Sequence, residues 1–276
     1  MHHVPLSRAE AGLSLAALGL LALALFGPAL ALPMAPHGFA DQRSWLGIPH
    51  VGDVLSNLAF AVAGVWGLAR LWRARAAVPH ATRASVACFL AGLLCTALGS
   101  TVYHWQPDDA GLALDRLGMG VAFAGVLGLA ASGRVSQRAG WATGLAMLVA
   151  SLLAVGVWHG GGDVRAWAVV QFGGMAMVLA LAALRPLPGM PAVRLGVLIA
   201  WYGLAKLCEL ADHGILAATA GWVSGHNLKH LLAAAAALPV LAMLQRVAPP
   251  LAAGETGRGA MLRRHTPAVK AGNGPC

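Results

Sequence analysis

The sequence predicts an all-α protein, a polytopic bundle of membrane helices, and three observations carry that reading. Hydrophobic residues make up 58% of the chain and charged residues only 11%, about half of the ~25% usual in soluble domains. The apolar residues come in blocks that reach the ~20 residues a helix needs to cross a bilayer. Strand-like alternation is absent. In hydrocarbon the backbone must satisfy its own polar groups, which leaves helices as the spanning form.

Apolar runs between charged and turn residues predict eight helices, over 12–32, 52–72, 84–104, 112–132, 140–158, 165–184, 193–209 and 225–245. The breaks "PMAPHG", "RARAAVPHATR", "HWQPDDAG", "SGRVSQR", "HGGGD" and "RPLPGMP" carry turn and breaker residues. The stretch "ILAATAGWV" before the last helix is itself apolar and reads as re-entrant or interfacial. Residues 1–33 read as a retained N-terminal transmembrane helix. Their apolar core, Leu13 to Leu32, exceeds the ~7–15 residues of a signal-peptide core. Residues 247–276 read as a basic, disordered cytoplasmic tail. Cys88, Cys95, Cys208 and Cys276 form no CxxC pair, and the first three read as small buried apolar residues.

The net charge of +9 is spread over loops and tail, so it reads as a topology signal and not as a nucleic-acid footprint. Arg70, Arg73, Arg75 and Arg83 fall between helices 2 and 3, Arg134 and Arg138 between 4 and 5, and Arg185 and Arg194 between 6 and 7. Arg246, Arg258, Arg263, Arg264 and Lys270 fall in the tail. Alternate connections are poor in Lys and Arg and hold most of the acids. The positive-inside rule then places both termini in the cytoplasm and the intervening connections outside.

Ionisable residues inside membrane helices are functional-site candidates, and four fall at one depth. Helix 3 ends "ALGSTVYHW", with Ser100 and His104 four apart on one face. Helix 4 begins "LALDRLGM", with Asp115 about one turn in. Helix 8 begins "HNLKH", with His226 and His230 again four apart. All sit at the outer ends of their helices, and the bland alternative is helix-end side chains reaching interfacial water. Two histidines at i and i+4 can both reach one ion. With His104 they make three neutral nitrogen ligands, a set that suits zinc and leaves a fourth position for water. Zinc lowers the pKa of such a water to about 7. Asp115 could take or shuttle its proton, and Ser100 could hydrogen-bond a developing oxyanion. A non-enzymatic receptor-like protein, or a haem binder using His104 and His226 as axial ligands, remains the second reading.

Other polar features read as structural. In "KLCELADHG" Lys206 and Glu209 can pair, and Glu209, Asp212 and His213 read chiefly as an interfacial cluster. Lys229 reads as pointing away from its flanking histidines and snorkelling to the interface. Trp45, Trp72, Trp105, Trp141, Trp158 and Trp222 read as interface anchors. His159 and Asp163 read as loop residues, and Gly118 with Ala122 as helix-packing positions.

"GSTVYHWQPDDAGLALDRLGM" followed downstream by "HNLKHLLA" resembles the alkaline ceramidases, within the CREST superfamily of seven-helix membrane hydrolases. Ser100 and His104 match the family's Ser-x3-His, Asp115 its aspartate, and His226 and His230 its HxxxH. "DVLSNLAF", with Ser56 and Asn57, resembles a further family stretch. The resemblance implies a seven-helix core over residues 50–246, preceded by one extra helix. It further implies zinc held by His104, His226 and His230, catalytic roles for Ser100 and Asp115, and a metal-dependent amidohydrolase cleaving ceramide-like lipids. The family's calcium-binding acidic cluster is not reproduced. Asp41 and Asp53 remain, but His50 stands where a ligating glutamate is expected, which argues against calcium. Short loops and enrichment in Ala, Gly and Arg point to a bacterial inner membrane, with the site towards the periplasm. The oligomeric state is not written in the sequence.

Overall fold

A computed structural model of the chain describes residues 5–31 and 37–247. Among them every extended regular element is a helix: α1 (Arg8–Phe26), α2 (Val51–Ser56), α3 (Leu58–Ala74), α4 (His80–Trp105), α5 (Asp109–Arg134), α6 (Gln137–Gly161), α7 (Arg165–Ala168), a π-helical turn (Val169–Gly173), α8 (Gly174–Ala182), α9 (Leu195–Leu210), α10 (Asp212–Ala218), α11 (Gly225–Ala235) and α12 (Leu238–Val247). The chain is an all-α polytopic bundle. Seven of the eight predicted segments are long and apolar enough to cross a membrane. The eighth, α9, has 16 residues, about 24 Å at 1.5 Å per residue, against a hydrocarbon core of about 30 Å.

Local chemistry sets several boundaries. Ser7 and Glu10 form a capping box at α1, and Ser224 with Asn227 forms another at α11, satisfying first-turn N–H groups that have no partner inside the helix. Asp108 caps α5 and Ser136 caps α6. Helix α1 stops at Phe26, six residues before the predicted Leu32. Pro28 disfavours helical backbone at the preceding Gly27, which caps the helix through Leu23 O at 3.0 Å. The "ILAATAGWV" stretch forms the end of α10, then a turn with Ala220 and Gly221 at positive φ.

Helix α5 is the centre of the bundle: 72% of its apolar window is buried inside the protein, against 6% for α1. Helices α4 and α5 approach backbone to backbone because the contact carries glycine. A Cβ at Gly99 would lie 2.5 Å from Leu114 O, and one at Gly118 would lie 2.5 Å from Thr96 N. That close contact brings the end of α4 beside the start of α5.

Helix α1 packs on the periphery, tied at both ends. Glu10 pairs with Arg138 at 2.6 Å and accepts from Ser136 Oγ at 2.7 Å. At the other end the Arg165 guanidinium donates to Gly27 O, and Leu30 N donates to Asp163 Oδ1 at 3.1 Å. Asp163 is therefore a tie between α1 and α7, and His159 lies in the last turn of α6. Between these ties runs an apolar groove of about 930 Å³.

Two sequence expectations are corrected. Trp158 is buried, at 4% exposure, and stacks under Arg116, whose guanidinium carbon lies 4.0 Å from its ring centroid; the other five tryptophans are exposed. Cys95 is exposed and Cys88 and Cys208 are half-buried; Cys88 packs against the core, with its Sγ 3.4 Å from Val121 O. The predicted tail beyond Val247 lies outside the described residues.

Candidate metal centre

The last turn of α4 and the first two turns of α11 bring His104, His226 and His230 together. One ligand atom from each lies within 4.8 Å of the others. All three side chains are buried, His104 and His230 at 1% exposure and His226 at 7%. His104 Nε2 and His226 Nε2 are 3.2 Å apart. A tetrahedral zinc with Zn–N of about 2.0–2.1 Å sets N···N edges of about 3.3 Å, so this pair already stands at the separation one ion requires. Among the described residues this is the only group of three such side chains so arranged.

Neighbouring groups orient the ligands. Ser56 Oγ donates to Asp53 O at 3.0 Å, so it accepts from His230 Nδ1 at 2.7 Å. That bond assigns the proton to Nδ1 and leaves His230 Nε2 with its lone pair free for a metal. His104 presents Nε2 to the cluster, while its buried Nδ1 has no partner among the described residues. Asp212 Oδ1 accepts from His226 N at 2.8 Å, pinning the start of α11.

Ser100 lies one turn before His104 on α4, and Asp115 lies near the start of α5, where the charge of Lys229 acts on it. Both are buried, at 1% and 8% exposure, and the Ser100 hydroxyl is within hydrogen-bonding reach of the Asp115 carboxyl. Gly99, next to Ser100 on α4, lies directly against the backbone of Leu114 and Asp115 on α5.

Lys229 corrects the sequence expectation. Its Nζ lies 3.0 Å from His226 Nε2 and donates to Glu209 Oε1 at 2.9 Å. Its side chain is 17% exposed, so it does not snorkel to the interface. The signal was available: residues 226 and 229 are three apart and neighbour each other on a helix. Glu209 also receives Lys206 on its other oxygen, so two ammonium groups share one carboxylate.

The segment 37–50 folds over the cluster, and the sequence reading missed this. The Phe39 ring packs on His104 at 4.4 Å and on His226 at 5.2 Å between centroids. Ala40 N is held by Asp212 Oδ2 at 3.0 Å, and His37 Nδ1 meets Tyr103 Oη at 3.0 Å. Asp41 is fully buried and takes the Arg43 guanidinium on both oxygens, at 2.7 and 2.6 Å. Burial works against the Asp41 charge, but the hydrogen bonds and charge of Arg43 outweigh it and hold this carboxyl below its ordinary range. His50 Nδ1 meets Asp41 O at 3.0 Å. Asp53 is fully buried, with Oδ1 accepting from Asn227 Nδ2 at 2.6 Å and Oδ2 without a hydrogen-bond partner among the described residues.

No protein-family model matches the chain, and no curated protein matches it significantly.

Proposed function

We propose that the protein is a zinc-dependent integral-membrane amide hydrolase that cleaves ceramide-like lipids to a sphingoid base and a fatty acid. The observation that carries this reading is the buried three-histidine cluster with Ser100 and Asp115 beside it, at one end of the helices. It agrees with the resemblance to alkaline ceramidases in the residues that would act. The contact between His104 and His226 Nε2 atoms leaves no space for a macrocycle between them, which favours a single ion over haem. Three neutral imidazoles with a free fourth position form a donor set that suits zinc.

Zinc, when bound, supplies a water activated at neutral pH and polarises a carbonyl. Asp115 then takes the proton of the attacking water and delivers it to the leaving nitrogen as the C–N bond breaks. Ser100 donates to the Asp115 carboxylate; once Asp115 has taken the proton, the Ser100 oxygen accepts from it and its own hydrogen is free to turn towards the carbonyl oxygen as charge builds there. Phe39 excludes bulk water above the histidines. The distribution of basic loops favours a site on the non-cytoplasmic side, and with the composition it supports reading the protein as one of a bacterial inner membrane with the site towards the periplasm.

Purified protein loaded with zinc and given ceramide, N-acyl amide and ester lipids tests the proposal. Release of fatty acid from ceramide by the wild type, lost in His230→Ala and Asp115→Ala, is the expected result. Stoichiometric zinc with no turnover of any of these lipids would leave a metal-binding sensor as the better reading.

A further inference from the structure

Lys206, Glu209 and Lys229 form a charged arm that reaches the histidine cluster from α9 and α11. One carboxylate shared by two ammonium groups leaves the arm with one excess positive charge. Its inner end, Lys229 Nζ, contacts His226 Nε2 at 3.0 Å. His226 Nε2 also faces His104 Nε2 at 3.2 Å, and the charge of Lys229 acts on Asp115 as well.

A neutral imidazole has one lone pair. His226 Nε2 cannot give it both to the Lys229 ammonium and to a metal. Once a metal takes that lone pair, the N–H of Lys229 loses its acceptor. Glu209 still tethers the ammonium beside the cluster, so it turns to whatever negative oxygen arrives there. Amide hydrolysis brings two in succession: the carbonyl oxygen as it gains charge, and the carboxylate released after the cut. Both are anionic oxygens that a buried ammonium stabilises far more strongly than water does.

We propose that Lys229, tethered by Glu209, is the catalytic residue that binds the anionic oxygen of the substrate and of the fatty-acid product. This inference rests on the hydrolase reading for the identity of the anion, but its test does not require turnover.

Octanoate serves as a soluble carboxylate probe. Its binding to the zinc-loaded full-length protein in detergent is measured by calorimetry, and zinc affinity by competition with a chelator. Lys229→Met should bind octanoate at least about tenfold more weakly than the wild type, with zinc still stoichiometric. Its affinity for zinc should rise, because a competing cation has gone. Lys229→Arg should recover most of the octanoate affinity. Glu209→Gln keeps the lysine but loosens its tether, so it too should weaken octanoate binding and serves if Lys229→Met fails to fold. If ceramide is turned over, Lys229→Met should lose about 100-fold in kcat. Octanoate affinity unchanged in both zinc-loaded variants overturns the assignment, even if the wild type is an active hydrolase. Lys229-dependent octanoate binding in a protein that hydrolyses nothing keeps the anion site and removes the hydrolase reading.

Discussion

Ser56 decides which nitrogen of His230 can meet a metal, through the 2.7 Å bond to Nδ1. Ser56→Ala should therefore weaken zinc binding about 10- to 100-fold without abolishing it, as read by chelator competition. His104→Ala or His226→Ala should lose stoichiometric zinc altogether. The three histidines were legible because two stand four apart on one helix and all fall at helix ends of one depth. Lys229 and Phe39 were not read as part of the site, for different reasons. Lys229 stands three residues from His226, a helical neighbour, but its partner Glu209 comes from another helix twenty residues away. Phe39 belongs to an irregular segment with no periodicity, and only tertiary contact reveals what it covers. Asp41 and Arg43 give a pH prediction. The Asp41 carboxyl is depressed in the folded protein, so its stabilisation is present above the ordinary carboxylate pKa of about 4. It is lost as pH falls through the lower folded value. The difference in melting temperature between wild type and Asp41→Asn should be largest near neutral pH and shrink on acidification. A difference independent of pH would mean the ion pair contributes nothing.

The α4–α5 contact is the element on which the site depends. Gly99→Ala places a methyl group 2.5 Å from Leu114 O and 3.0 Å from Asp115 N, backbone atoms that cannot rotate away. The two helices must separate, costing about 1–3 kcal/mol and drawing Asp115 away from Ser100. A lowered melting temperature in detergent and reduced zinc-dependent activity are the expected readings. Most element boundaries were legible because Gly, Pro and capping residues terminate helices by local sterics and hydrogen bonding. The end of α1 was readable from Pro28 and was overrun because the apolar run continues beyond it. The π turn at Val169–Gly173 leaves no mark in hydrophobic periodicity, which is why it was not anticipated.

At the scale of the whole molecule, the bundle is layered from the buried α5 outward to α1, which rests on ties at its two ends. None of the side chains shown around the histidines comes from α1. Deletion of residues 1–31 should therefore leave stoichiometric zinc bound, measured by metal analysis of the purified truncated protein. Loss of zinc would show that the extra helix supports the site. In the proposed hydrolase, turnover needs both the histidine cluster and Asp115. Zinc-loaded wild type and Asp115→Ala protein are each incubated with ceramide, and released fatty acid and bound metal are quantified together. Both proteins should retain zinc and only the wild type should release fatty acid; equal release from the two, or none from the zinc-bound wild type, would overturn the proposed hydrolase.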